Sequence, residues 1–375
     1  LRPHIGHNGG VSRVVVIKLG SSVLVDDTGA LRADVFDRVV REVDRRRAAG
    51  DQLVVVSSGG IACGMPLLGL AARPTRVEEL QATSAVGQGR LYREWEQRFT
   101  RAGIVPAQVL LTAADVAMRE HYLNARATLG KLLEWGVVPV VNENDTTATE
   151  EISFGDNDVL AAQVATLVGA SELILLTSTD GLFTANPATD DTATLVREVT
   201  DPAQLDALTI DANRSTFGSG GMQSKVVSAE IATAAGVAVT ICSGIDDAAL
   251  GSALDGDRPG TRFPAGDGQL GSFKLWLRFA KPSRGVVEVD HGAARALRED
   301  GVSLLPVGIT AVTGTFRAGD AIDVVVEGTS VGKGLSQYDS GALLQAIGKR
   351  SAELATLDPV PPNEVVHRDY FVLTD

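Results

Sequence analysis

Cysteine is almost missing from this chain: Cys63 and Cys242 are the two among 375 residues, each in an apolar stretch. Two cysteines so placed argue against a disulfide framework and a thiolate zinc site, and they fit a reducing, cytoplasmic setting. Histidine is scarce as well, and His4 and His7 are too few for a metal-binding tract. The opening residues, LRPHIGHNGG, have no apolar core of the kind a secretory signal carries. No apolar run reaches membrane-spanning length, so no membrane partner is expected. Positive charge is in deficit: the net charge is −13 and the pI about 4.9. That argues against a nucleic-acid footprint spread over the whole protein. It leaves phosphate binding open, because that needs only local backbone N–H groups and a few lysines.

What is present is an ordinary globular composition, 44% hydrophobic and 22% charged, long enough for two domains. Strand-like β-branched runs alternate with helical spacing through the first 240 residues or so. Arg13–Leu19 ends in Lys18 and turns at Gly20-Ser21-Ser22, a backbone suited to approach an anion. Lys18 read alone is equally an edge lysine reaching for solvent. Helix Leu31–Ala49 stops at Gly50, and strand Leu53–Val56 ends in Ser57-Ser58-Gly59-Gly60. Val77–Arg101 has the spacing of a long helix, expected to break or kink near Gly87-Gln88-Gly89. Val105–Leu111, Tyr122–Glu134, Val137–Val141 and Glu172–Leu176 continue the alternation, the last leading into Thr177-Ser178-Thr179-Asp180-Gly181. Phe217–Lys225, FGSGGMQSK, precedes helix Val226–Ala235 and makes a plausible phosphate cradle, although it is not a Walker A loop. Val237–Ile241 reads as the final strand. The expected fold is α/β, a mostly parallel sheet sandwiched by helices, followed by a small β-rich domain.

Two polar clusters stand out. Asn142, Asn144 and Asp145 leave the strand Val137–Val141 at its carboxyl end, where ligands lie in open α/β sheets. A hairpin-like excursion returns through Gly155-Asp156-Asn157-Asp158 into a helical run, which places Asp156, Asn157 and Asp158 at the first turn. The plainer reading is a loop whose Asp and Asn residues only form turns and caps.

Around Pro259–Gly271 the composition shifts to Pro, Gly and Asp, as in a linker. Short strands follow: Phe273–Phe279, Gly285–Val289, Ile309–Thr315, Ala321–Val326 and Ser330–Ser336. Residues 271–351 carry ten Lys and Arg against eight Asp and Glu, a weak positive balance that leaves RNA open as a ligand. The last residues, 352–375, with Pro359, Pro361 and Pro362, read as a tail or strap.

The stretches VVVIKLGSSVL, VVVSSGGIACG, VPVVNENDTTATEEISFGDND and GSGGMQSK, in that order, resemble the amino-acid kinase family. The similarity is to its glutamate-phosphorylating branch, and SFKLWLRFAKPSRGVVEVDHGAARAL onward resembles a PUA domain. The resemblance spans roughly residues 13–351 and implies a kinase domain over 11–262, a PUA-like domain over 271–351 and a tail over 352–375. It implies transfer of the γ-phosphoryl of ATP to the side-chain carboxylate of L-glutamate, with Mg²⁺, giving γ-glutamyl phosphate, the first step towards proline. Lys18, Lys225 and Asp158 match the catalytic positions, Asp158 placing the two lysines. Ser58, Asp145 and Asn157, with Asn142 close by, match the glutamate site. Lys18, Gly20, Thr177, Ser178 and the loop Ser219, Gly220, Gly221, Met222, Gln223, Ser224 and Lys225 match the ATP site. The family also implies a homodimer or homotetramer and proline as a feedback inhibitor.

The chain departs from the family's pattern in one place that bears on function, and a second difference, at Gly60, is harmless on this reading. Ser178 stands where an Asp is usual, and Gly60 where Ala is common. A carboxylate acceptor is already ionised near neutral pH, so the lack of a catalytic histidine is no objection. Two other readings stay open: the same fold acting on acetylglutamate or aspartate, and an RNA-binding or regulatory protein with a decayed kinase fold. The paired NEND and GDND motifs weigh against the first, and the retained lysines and Asp158 against the second.

Overall fold

A computed structural model of the chain describes residues 13–26, 29–112, 115–116, 118–148, 157–201, 203–206, 221–267, 274, 277–278, 281, 283–354 and 360–374. Two compact units emerge, Leu1–Gln269 and Leu270–Asp375.

The first unit begins β1 (Val14–Leu19), α1 (Ser21–Leu24), α2 (Ala33–Ala48), β2 (Gln52–Ser57), α3 (Gly60–Leu67), α4 (Val77–Arg101) and β3 (Pro106–Leu111). It continues α5 (Arg119–Glu134), β4 (Val138–Glu143), α6 (Asn157–Leu167), β5 (Glu172–Thr177) and α7 (Ala203–Asp206). It closes with α8 (Met222–Ala234), β6 (Ala238–Ser243), α9 (Ala249–Asp255) and β7 (Thr261–Phe263). The sheet order is β3-β4-β2-β1-β5-β6-β7, parallel except for the β6–β7 pair. The β-branched and leucine-rich runs of β1, β2 and β5 are buried almost throughout, as strands covered on both faces must be. Chain order reverses direction at β1, whose neighbours are β2 and β5. That reversal is a topological switch point, and the register sets Leu19 beside Ser57 and Leu176 at the carboxyl ends.

Two expectations are corrected here. The long helix does not break at Gly87-Gln88-Gly89: α4 runs unbroken from Val77 to Arg101. Gly87 instead lets α3 and α4 touch, since a Cβ there would fall 1.9 Å from the Gly60 carbonyl oxygen and 2.4 Å from the Gly64 nitrogen. The missing side chain thus serves a close helix crossing. Val237–Ile241 is not the last strand, because the three residues of β7 add an antiparallel edge beyond β6. The turn at Gly59 and Gly60 opens an eight-residue helix with Pro66 in its last turn, as a tight strand-to-helix turn would. Elsewhere the aliphatic core is anchored by Trp95, which packs at 4.5 Å from Phe36 and 5.9 Å from Phe99 between ring centroids.

The second unit is a five-stranded sheet, order β12-β11-β10-β8-β9, built from β8 (Ser283–Val289), β9 (Ile309–Gly314), β10 (Ala321–Val326), β11 (Thr329–Leu335) and β12 (Phe371–Leu373). Alternation places Val287, Val324 and Val331 in its core. Most of the expected strand Phe273–Phe279 lies outside the described residues, and Lys274, Leu277 and Arg278, which are described, are helical. The proline-rich segment expected as a tail supplies Val365, Val366 and Phe371 to this core and pairs with β11 as an edge strand. Its apolar residues sit beyond the prolines, so composition read over the whole segment hid them. Among the described residues no helix is long and apolar enough to cross a membrane.

Candidate active site

Lys18 is the one charged residue in an otherwise apolar strand, and it is 3% exposed. A buried ammonium is tolerated only with a partner. That partner is Asp158, in the first turn of α6 and wholly buried: Lys18 Nζ lies 2.5 Å from its Oδ1. From another direction Lys225, in the first turn of α8, places Nζ 3.0 Å from Oδ2 of the same carboxylate. Ser224 Oγ is 3.4 Å from that oxygen. Burial by itself would push the Asp158 carboxyl up, but the two lysine charges and their hydrogen bonds outweigh it and bring the pKa down to about 2. One carboxylate therefore fixes two cations brought from β1 and α8.

The N-cap of α8 is Gly221, extended and without a side-chain cap. The first turn of this helix thus lies beside Lys225, a place where a helix N-terminus favours an anion. Met222 and Ser224 are half-buried and Gln223 is exposed, while Ser219 and Gly220 lie outside the described residues. Gly20 lies two residues after Lys18, just past β1, and a Cβ on it would come 3.7 Å from Nζ. Thr177 ends β5 next to β1, and Ser178 beyond it is exposed. The Thr177 carbonyl accepts from Gly244 N at 2.7 Å, and the Gly244 carbonyl in turn accepts from buried Arg38 at 2.9 Å. Arg38 also reaches Asp246 O and pairs with Asp247, so it pins the turn after β6 beside Thr177.

A second cluster lies at the ends of β2 and β4. Asn157 Nδ2 donates to Ser58 Oγ at 3.0 Å and to Asn142 Oδ1 at 2.8 Å. Asn157 Oδ1 accepts from Glu143 N at 3.1 Å. Ser58, Asn142 and Asn157 are all buried, so this polar set is held by its own hydrogen bonds. Asp145 is buried too, and its pKa is raised: burial dominates, opposed by a hydrogen bond from Ser84 and the charge of Arg73. Because Asn157 and Asp158 are consecutive, the two clusters meet at the start of α6. The segment 149–156, including Gly155 and Asp156, lies outside the described residues.

The sequence reading missed one face of α4. Ser84 donates to Asp145, Gln88 Oε1 accepts from Asn142 Nδ2, and Trp95 Nε1 donates to Ser57 Oγ at 2.9 Å. Ser84, Gln88 and Trp95 follow the helical spacing four and then seven apart, which was the available signal. The described residues expected at a ligand site thus lie at or just past the carboxyl ends of β1, β2, β4 and β5 or at the starts of α6 and α8. Among the described residues no cluster of three His, Cys, Asp or Glu side chains could hold a metal ion.

Residues 13–243 match the amino acid kinase family, and residues 285–357 match the PUA domain. The glutamate 5-kinase of Moorella thermoacetica is 43% identical over 365 residues, 96% of this chain and 96% of its own. That of Dinoroseobacter shibae is 44% identical over 366 residues, 96% of this chain and 98% of its own. That of Frankia casuarinae is 45% identical over 365 residues, 96% and 97% of the two chains. Among solved structures, one described as X-ray structures of isopentenyl phosphate kinase matches with a TM-score of 0.47 at 19% identity, over 67% of this chain and 99% of that one.

Proposed function

The chain belongs to the amino acid kinase family, in its glutamate 5-kinase branch, and we propose that its catalytic centre is the Lys18–Asp158–Lys225 triad. The reaction is ATP-dependent phosphorylation of the side-chain carboxylate of L-glutamate, the step that leads towards proline. The observation that carries the proposal is the single buried carboxylate holding lysines from β1 and α8 within 3.0 Å.

Phosphoryl transfer asks for in-line placement and neutralised charge more than for covalent chemistry. The glutamate carboxylate is the nucleophile and arrives ionised, so no general base is required. In this reading Lys18 and Lys225 face the migrating phosphoryl from two elements, and the positive end of the α8 dipole favours its charge. Asp158 takes no part in bond making. It holds both ammonium groups in place before ATP arrives, which avoids reorganisation during the reaction. Gly20, Thr177, Ser178 and the segment 219–225 form the proposed ATP side. Asp145 takes the ammonium of glutamate, and Ser58, Asn142 and Asn157 take its α-carboxylate side by hydrogen bonding.

Among the described residues no side chains form a cage for a resident metal, and Mg²⁺ enters this proposal with the phosphates of MgATP, as part of the substrate. Both cysteines are buried, and burial pushes each thiol up to about 12, which fits a reducing cytoplasm as the setting. The same reading extends to proline as a feedback inhibitor, a homodimer or homotetramer, and RNA on the second unit. Titration with proline, sedimentation and an RNA-binding assay address these in turn.

The test is a coupled ADP-release assay over a panel of amino acids. L-Glutamate should turn over fastest. Equal or faster turnover of aspartate or acetylglutamate would contradict the proposal.

A further inference from the structure

The glutamate-side cluster leans on α4, and one of its contacts depends on the absence of a side chain at residue 60. Ser84 Oγ donates to Asp145 Oδ2, with Ser84 2% exposed and Asp145 8%. Facing that hydroxyl is Gly60, the first residue of α3, and a Cβ there would fall 2.6 Å from Ser84 Oγ. The same Cβ would lie 3.4 Å from Gln88 Oε1 and 3.7 Å from Asn142 Nδ2, ordinary contact distances. The crowding is therefore specific to Ser84.

We propose that Ser84 is a positioning residue for recognition of the acceptor amino acid: its hydroxyl fixes the Asp145 carboxylate, in the room that Gly60 leaves open. The inference rests on Asp145 as the partner of the glutamate ammonium. A buried carboxylate with too few donors tends to take up a proton, and a neutral Asp145 attracts an ammonium far less. Ser84 supplies the hydrogen bond that opposes this, and Arg73, in the connection between α3 and α4, supplies the charge. Glu143 lies two residues upstream on β4 and is buried, adding no positive charge. The hydroxyl also selects one carboxylate oxygen, so the side chain cannot rotate freely towards α4. Residue 60 and residue 84 thus act as a matched pair, a missing methyl on α3 for a hydroxyl on α4.

The experiment compares the full chain with Ser84→Ala, Gly60→Ala and the double variant, each checked by thermal unfolding. Ser84→Ala should raise KM for glutamate about tenfold, the size expected for a hydrogen bond to a charged group. KM for ATP should stay within about twofold, and kcat should change less than KM for glutamate. The acid limb of kcat/KM for glutamate should move to higher pH, because Asp145 then holds its proton longer. Gly60→Ala should reproduce this pattern by displacing the hydroxyl. The double variant should be no worse than Ser84→Ala alone, since the added methyl then meets no oxygen. An unchanged KM for glutamate in Ser84→Ala overturns the inference. So do single effects that multiply in the double variant, or a loss of thermal stability with both KM values and the pH profile intact. Failure of the unsubstituted chain to phosphorylate glutamate would instead overturn the proposed function, before any variant is compared.

Discussion

Lys225 and Asp158, 67 residues apart in the chain, meet at 3.0 Å inside the protein. The contact ties the first turn of α8 to the first turn of α6, and Lys18 completes it from β1 at 2.5 Å. Every prediction about catalysis below turns on what that shared carboxylate holds.

Acid should weaken the fold through Asp158. Its pKa is depressed from 3.8 to about 2 in the folded protein. The unfolded chain therefore binds the proton more readily, and stability rises with pH across that interval. The contribution, roughly 2 kcal/mol from a shift of nearly two units, is present above pH ~4 and is lost as pH falls towards 2. Urea unfolding between pH 5 and 2 should show this drop in the unsubstituted chain and a smaller one in Asp158→Asn. Equal acid sensitivity in the two proteins would show that the carboxylate is not held as described.

Replacing Lys225 by alanine should lower kcat more than it raises KM for glutamate. Its charge matters most where phosphoryl charge is redistributed, not where glutamate is bound. Steady-state kinetics with each substrate varied decides this, and an unchanged kcat would remove the lysine from the chemistry.

Ser178 is exposed just beyond the end of β5, at a position where the resemblance described above implies a carboxylate. Ser178→Asp should lower KM for ATP several-fold, since an ionised acceptor adds about 1 kcal/mol over a neutral one. KM for glutamate should not move. Weaker ATP binding in the variant would mean that the loop meets the nucleotide in another way.

The second unit carries none of the proposed site residues and has its own core around Val287, Val324 and Tyr338. A chain truncated after Gln269 should unfold cooperatively and keep kcat/KM for glutamate within about tenfold, or 1.4 kcal/mol in barrier. A folded truncation without activity would show that the second unit completes the site or its assembly.

Much of this site is legible in the sequence because a parallel sheet fixes where strand ends go. The runs of β1, β2 and β4 lead into polar residues, Lys18, Ser58 and Asn142, at or just past the carboxyl ends of neighbouring strands. The pairing of Asp158 with both lysines is not visible in any local pattern, since it joins three distant elements. Ser84 and Gln88 were hidden for a different reason. On a helix, apolar spacing marks the core face, and two polar residues within it read as interruptions until their partners are seen. Gly87 misled in the same way: a glycine in a helix signals a break locally and a close crossing only in three dimensions. The short β7 and β12, three residues each, fall below the length at which alternation can be counted.

The central claim is that Asp158 organises the two lysines for phosphoryl transfer, and single-turnover kinetics of Asp158→Asn test it most directly. The acyl phosphate is trapped with hydroxylamine after mixing saturating MgATP and L-glutamate. The account predicts that the transfer step falls by about a hundredfold or more, on the order of 3 kcal/mol, while KM for each substrate changes less than tenfold. A folded Asp158→Asn protein that transfers phosphoryl at the rate of the unsubstituted chain would contradict it.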